Sequence, residues 1–213
     1  YAKDDFERAK IKKISNPLDT EMIVRQSEKP LAKEVFKENM PSFISVGTVF
    51  PQKGFDRLAQ VHKKLLDEGF LHQIIIIGDG YDFQNQKKLV AELGVEDTFL
   101  MLGFCDNPYP YFRRADFFVL SSRYEGFPTV LSEAIVLKKN IIATEVSGAG
   151  ELLQNGELGL MVENSESGIY SGLKQALEHP ESFETFQQKL EGYQMPFTLQ
   201  NSVAKIRGIL DSL

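Results

Sequence analysis

The chain has little cysteine, no long apolar run and no block of like charge. Cys105 is the only cysteine in 213 residues, which excludes an internal disulfide and suits a reducing compartment. A chain of this length buries enough apolar surface to fold without such cross-links. No apolar stretch approaches the roughly 20 residues that cross a bilayer as a helix. Acids and bases are interleaved at a formal net charge of -6, so no surface for gripping nucleic acid is expected, and Lys10, Lys12 and Lys13 read as a solvated edge. The three histidines, His62, His72 and His179, have no partners at metal-ligand spacing, and the acids form no cluster, so no metal is expected. There is no repeat of fixed period and no low-complexity segment. Tyr1 to Lys13 is too charged for a signal peptide and no initiating Met precedes it, which reads as part of a longer chain.

What the chain does have is rhythm. From Pro41 onward, short apolar runs alternate with segments of helical period. Strands are expected at Phe43 to Val46, Gln73 to Ile77, Thr98 to Leu102, Phe117 to Leu120, Asn140 to Ala143 and Leu158 to Val162. Helices are expected from Phe55, over Asp82 to Leu93 with Gly94 as its stop, over Tyr109 to Arg114, from Pro128, over Glu166 to Leu177, over Phe183 to Glu191 and over Leu199 to Leu213. This alternation predicts an α/β fold, a Rossmann-like doubly wound parallel sheet with helices on both faces, over residues 41–195. Residues 1–40 read as a lead-in, with a short strand at Ile11 to Ile14, a turn at Asn16 to Asp19 and a brief helix at Pro30 to Glu38. Residues 196–213 read as a final helix whose apolar stripe, Val203, Ile206, Ile209, Leu210 and Leu213, packs on this domain or reaches beyond it.

The stretch from Phe117 to Leu137 carries the densest signal: a buried strand, a polar loop, then a helix announced by Pro128. In a parallel sheet such a loop lies at the carboxyl end of its strand, where ligands bind, and the helix start offers free N–H groups. Glu125 in the loop and Glu133 in the helix frame it; taken alone, both read equally as solvated carboxylates. Four strands in succession end in small residues, at Gly47, Gly78 with Gly80, Gly103, and Ser121 with Ser122. Each glycine by itself reads as a tight turn, but together they suit the close approach of a phosphate or nucleotide.

Val46 to Gly54 with Arg57 and Leu58, the Gly78-Asp79-Gly80 turn, the Glu125-Gly-Phe-Pro loop followed by Glu133-Ala134, and Gly150-Glu151 before Asn155-Gly156 and Gly159 recur in order. This set resembles the C-terminal, donor-binding half of a family 4 retaining glycosyltransferase of the GT-B fold, over roughly residues 15 to 180. The resemblance implies that Lys53 meets the diphosphate, Glu125 faces the donor sugar, and Glu133 accepts hydrogen bonds from the ribose. Backbone N–H groups at Gly126, Phe127 and Thr129, around Pro128, would receive the distal phosphate or the sugar. Gly47, Thr48 and Gly78 would line the same site, and Phe104 and Cys105 would border the base. By residue type alone, Phe104 reads equally as core, Cys105 better as a small packed hydrophobe, and Lys53 better as a solvated loop lysine. The turn from Ser147 to Glu151 would border the same cleft. One departure stands out. The family pairs its lysine with an arginine just after the first glycine, and here that position is Thr48, which lacks charge and bidentate geometry; Arg123 is a candidate to fill the gap.

The expected activity is that of a glycosyltransferase of hexosyltransferase type. It would take a nucleotide-sugar, expected to be a UDP-sugar, without metal or other cofactor, and deliver the sugar to a polysaccharide or glycolipid acceptor held by an N-terminal domain that precedes this region. The chain alone is expected to transfer nothing. A cytoplasmic location follows, with the inner membrane face and peripheral association as further expectations. A nucleotide-sugar epimerase half-domain and a degenerate nucleotide-binding or assembly domain are the rival readings. The first would need more catalytic acids or histidines at the sugar, and the second draws on Thr48.

Overall fold

The structure is a computed structural model that describes residues 17–211; the expected strand at Ile11 to Ile14 and the stripe residue Leu213 lie outside the described residues. Six strands, β1 (Ser42–Val46), β2 (Gln73–Ile77), β3 (Phe99–Met101), β4 (Phe117–Leu120), β5 (Asn140–Thr144) and β6 (Leu160–Val162), form one sheet. Every pairing is parallel, in the order β3-β2-β1-β4-β5-β6. The chain winds outward from β1 to β3, then crosses back to β4 on the other side of β1. That reversal opens a crevice beyond the carboxyl ends of β1 and β4, where doubly wound sheets bind ligands.

Strand composition follows from burial on both faces. Ile74, Ile75, Ile76 and Ile77 are all buried because alternate residues enter two separate cores. Phe43, Ile74, Ile76, Phe117, Val119 and Ile142 face one side; Ile44, Ile75, Ile77, Phe118, Leu120 and Ile141 face the other. Each such side chain contributes about 2 kcal/mol by leaving water. The first face is covered by α2 (Phe55–Asp67), through Leu58, Val61 and Leu65, and by α7 (Glu166–Glu178), through Ile169 and Leu173. Between them in the chain, α3 (Phe83–Glu92) follows β2, with Gly94 at φ +66 after its end. The second face is covered by α4 (Tyr109–Arg114), α5 (Thr129–Val136), α6 (Ala149–Leu152) and α8 (Glu184–Gly192).

The lead-in segment differs from expectation. A helix, α1 (Thr20–Ser27), stands before Pro30, and residues 28–41 hold no regular element. Asp19 caps α1, its carboxylate accepting from Met22 N at 2.9 Å, and Ile23 is buried. No helix forms at Pro30 to Glu38 because side chains take its backbone donors: Lys33 N donates to the Tyr111 hydroxyl, Phe36 N to Glu34 and Lys37 N to Gln73. Those partners satisfy the amides without helical carbonyls. At the other end, Leu18 N donates to Phe197 O and Leu199 N to Leu18 O, which fastens the start of α9 (Leu199–Leu210). Ser202 is buried, whereas Val203, Ile206 and Leu210 are exposed.

Candidate functional site

The loops that follow β1 and β4 are pressed together at the crevice. A short 3₁₀ turn, Pro51–Lys53, ends at Gly54, whose φ of +67 suits glycine. A Cβ at Gly54 would lie 2.3 Å from the Ser121 carbonyl oxygen, so only glycine permits this approach. Ser121 Oγ donates to Lys53 O, Arg123 N to Gln52 O, and Gln52 Nε2 to Tyr124 O. The result is a fixed delivery of Lys53: its ammonium donates to Glu125 Oε1 at 2.7 Å, and Ser122 Oγ donates to the same oxygen at 2.7 Å. An ammonium has three donors and a carboxylate several acceptor sites, so both groups keep capacity for a ligand.

Arg57 holds this arrangement from beneath. It lies on the buried stripe of α2, one helical turn before Val61, and is 6% exposed. Its guanidinium donates to the carbonyls of Ser121 and Ser122 and to Asn164 Oδ1. Thr144 Oγ1 donates to Ser122 O as well. Sequence reading assigns Arg57 no role; a basic residue at a core position of an amphipathic helix is the signal that could have pointed to one. Arg123, by contrast, does not fill the gap at Thr48. Its guanidinium pairs with both Asp56 oxygens at 2.8 and 2.7 Å and donates to Pro51 O, which holds it as a loop clasp.

Gly47, Thr48, Gly78, Phe104 and Cys105 come together around a cavity of about 230 Å³, with Asp79 and Pro108. The Lys53 stem borders the same place, since a Cβ at Gly47 would lie 3.1 Å from Lys53 Cε. Gly78 has a protein reason for lacking a side chain: its Cβ would fall 1.9 Å from Gly47 O. Phe104 is 75% exposed, which sets aside a core role. Cys105 packs against the second core and its thiol donates to Asn107 O. None of the residues lining this cavity is basic, so Thr48 leaves it without a second cation.

Gly126, Pro128 and Thr129 form the bend into α5, which no side chain caps; Leu131 N donates back to Pro128 O, and the N–H groups before it are those a helix start offers to a ligand. Phe127 turns its ring against Phe197, leaving only its backbone to a ligand. Gly148 seats this bend from the next turn, its absent Cβ lying 2.9 Å from Gly126 O and 3.2 Å from Phe127 Cα. Glu133, on α5, accepts from the Tyr109 hydroxyl at 3.1 Å. Burial pushes the Glu133 carboxyl above its ordinary range, and the Tyr109 bond opposes that shift. Burial and the neighbouring carboxylate both push the Tyr109 phenol up, which keeps its proton in place.

His62 and His72 lie away from this edge and are fully buried. His72 Nδ1 faces Phe70 O, so it carries the proton, and its Nε2 accepts from His62 Nδ1 at 2.8 Å. His62 Nε2 then accepts from Thr98 Oγ1. Both rings are thereby neutral and internally satisfied. Among the described residues, no helix is long and apolar enough to cross a membrane.

The family of glycosyl transferases group 1 matches residues 26–191. The N-acetylgalactosamine-N,N'-diacetylbacillosaminyl-diphospho-undecaprenol 4-alpha-N-acetylgalactosaminyltransferase of Campylobacter jejuni is 32% identical over 167 residues, which cover 78% of this chain and 44% of that protein. Among solved structures, a glycosyltransferase from Rickettsia africae superposes with TM-score 0.78 at 17% identity over 93% of this chain and 56% of its own. Anabaena Alr3699/HepE, solved with UDP and glucose, gives 0.73 at 20% identity over 82% of this chain and 49% of its own. At such identities these two likenesses are likenesses of fold. The chain spans about half the length of the proteins it matches. Its six-stranded parallel sheet is the Rossmann-like fold of GT-B glycosyltransferases, and the chain belongs to the family of glycosyl transferases group 1.

Proposed function

We propose that the chain is the donor-binding part of a retaining hexosyltransferase that moves a sugar from a UDP-sugar to a lipid-linked or polysaccharide acceptor. The observation that carries this reading is the meeting of Lys53 and Glu125 at the crevice between β1 and β4, within 2.7 Å and beside the open start of α5. A departing diphosphate would take the remaining donors of Lys53 and the first N–H groups of α5, which oppose the negative charge that develops as the glycosidic bond breaks. Glu125, held on one oxygen by Lys53 and Ser122, would turn its other oxygen to a sugar hydroxyl. Glu133 would take the ribose, and Phe104 with the cavity beside Gly47 and Gly78 would border the base. No step in this scheme calls on a metal or other cofactor.

UDP as the nucleotude carrier is supported by the Anabaena relative's ligands, and the acceptor class by the undecaprenol-linked saccharide in the Campylobacter relative's name. Acceptor contacts and the reaction's location at the cytoplasmic membrane face would belong to an N-terminal domain of the intact protein. Titration calorimetry of this chain with UDP, GDP and ADP tests the reading. We expect UDP alone to bind, and both Lys53→Ala and Glu133→Ala to weaken it, with no sugar transfer by the chain itself. Equal binding of all three nucleotides, or binding indifferent to both substitutions, would sink it.

A further inference from the structure

We propose that Tyr109 is a positioning residue for the donor: its phenol fixes one oxygen of Glu133 so that the other is presented to the ribose hydroxyls. The inference rests on the donor-site reading above. Tyr109 opens α4, the crossover that carries the chain from β3 past β2 and β1 to β4. Pro108, immediately before it, lines the cavity shared by Gly47, Thr48, Gly78, Phe104 and Cys105, so Tyr109 follows directly on a residue of that cavity's wall.

The geometry divides the work of the carboxylate. Oε1 accepts from the Tyr109 hydroxyl at 3.1 Å. Glu133 itself is only partly buried, which leaves the carboxylate its second oxygen to offer. The Tyr109 ring is itself held, packed against the second core and tilted against Phe112 at 6.4 Å between centroids. A half-buried carboxylate without that anchor would rotate and would take up a proton more readily, and a protonated oxygen no longer accepts. The phenol prevents both changes. Its own proton stays in place, because burial and the Glu133 charge oppose its loss.

Tyr109→Phe removes the hydroxyl and keeps the ring. Calorimetry of the 213-residue chain with UDP and with 2′,3′-dideoxy-UDP separates positioning from packing. UDP should bind Tyr109→Phe on the order of tenfold more weakly, the worth of a charge-assisted hydrogen bond, while the dideoxy nucleotide binds it as it binds the wild type. Glu133→Gln should lose the same preference, and the double variant should lose little more than Glu133→Gln alone. If Tyr109→Phe weakens both nucleotides equally or neither, while the wild type still prefers UDP, the inference is overturned and the donor site stands. If the wild type binds the two alike, the ribose contact assigned to Glu133 falls and the inference with it, while the rest of the donor site stands; if it binds neither, the donor-site reading falls and the inference falls with it.

Discussion

The Lys53 ammonium and the Glu125 carboxylate meet at 2.7 Å across two loops that are 72 positions apart in the chain. They are mostly shielded, with side-chain exposures of 18% and 9%. The pair ties the charge that would receive a diphosphate to the group that would receive a sugar, so the two halves of a donor would meet one linked device.

Opposite substitutions separate these halves. Glu125→Gln releases Lys53 from its counter-charge, so UDP should bind several-fold tighter while a UDP-sugar gains less. Lys53→Ala should weaken UDP by on the order of tenfold or more, as loss of a charge-assisted bond does, and leave UMP little changed. Calorimetric titrations with the three ligands check both; equal loss of UDP and UMP in Lys53→Ala would show that the lysine does not meet the distal phosphate.

Thr48 is exposed and lines the cavity beside Gly47. Placing arginine there supplies the bidentate clamp that no neighbour provides, since Arg123 is held by Asp56 and Arg57 by Ser121 and Ser122. Thr48→Arg should tighten UDP binding by about tenfold, with a steeper salt dependence. An unchanged affinity would mean that the phosphates do not pass this position.

Two glycines at the same bend should answer differently to alanine. Gly148 has φ +80 and its Cβ would press on Gly126 O and Phe127 Cα, whereas Gly126 faces open space. Gly148→Ala should cost about 1 kcal/mol or more and displace the entry to α5, and Gly126→Ala should stay within about 0.5 kcal/mol of the wild type. Urea unfolding measures both.

The buried histidine pair sets an acid limit on stability. Burial, with His72 adding to it, lowers the His62 pKa to about 3, and burial lowers that of His72. The unfolded chain therefore binds protons that the folded chain refuses. Below the ordinary histidine value of about 6.5, stability should fall with falling pH, by up to about 1.4 kcal/mol per unit for each ring. That loss should continue toward pH 3 for His62. Urea midpoints at several pH values between neutrality and mild acid would show the slope, and His62→Gln should flatten it; a midpoint that does not move would contradict the neutral pairing.

Local pattern made most of the sheet legible. Gln73 to Ile77 and Phe117 to Leu120 stand where the apolar runs placed them, because a parallel strand buried on both faces reads as a nearly continuous apolar run. The helix after Pro128 was legible for a similar reason, proline being compatible with a helix entrance and the apolar residues that follow forming one face. The segment from Pro30 to Glu38 misled because its amides are met by Glu34, Gln73 and Tyr111 side chains, and no window of sequence contains Gln73 or Tyr111 together with them.

The candidate site divides along the same line. Lys53, Glu125, Glu133 and the strand-end glycines could be named in advance, since residue type and spacing carry the resemblance. Their working relations could not: Arg57 beneath Ser121, Tyr109 on Glu133, Gly148 under Gly126 and Arg123 turned to Asp56 are contacts between elements distant in the chain. By itself the sequence determined the alternation of strand and helix, the two-faced core and the identity of the charged groups, because those follow from periodicity and side-chain chemistry. Only the tertiary structure decided which charges meet and which are spent on holding loops, because that choice depends on the crossover from β3 to β4, which brings separate loops to one edge of the sheet.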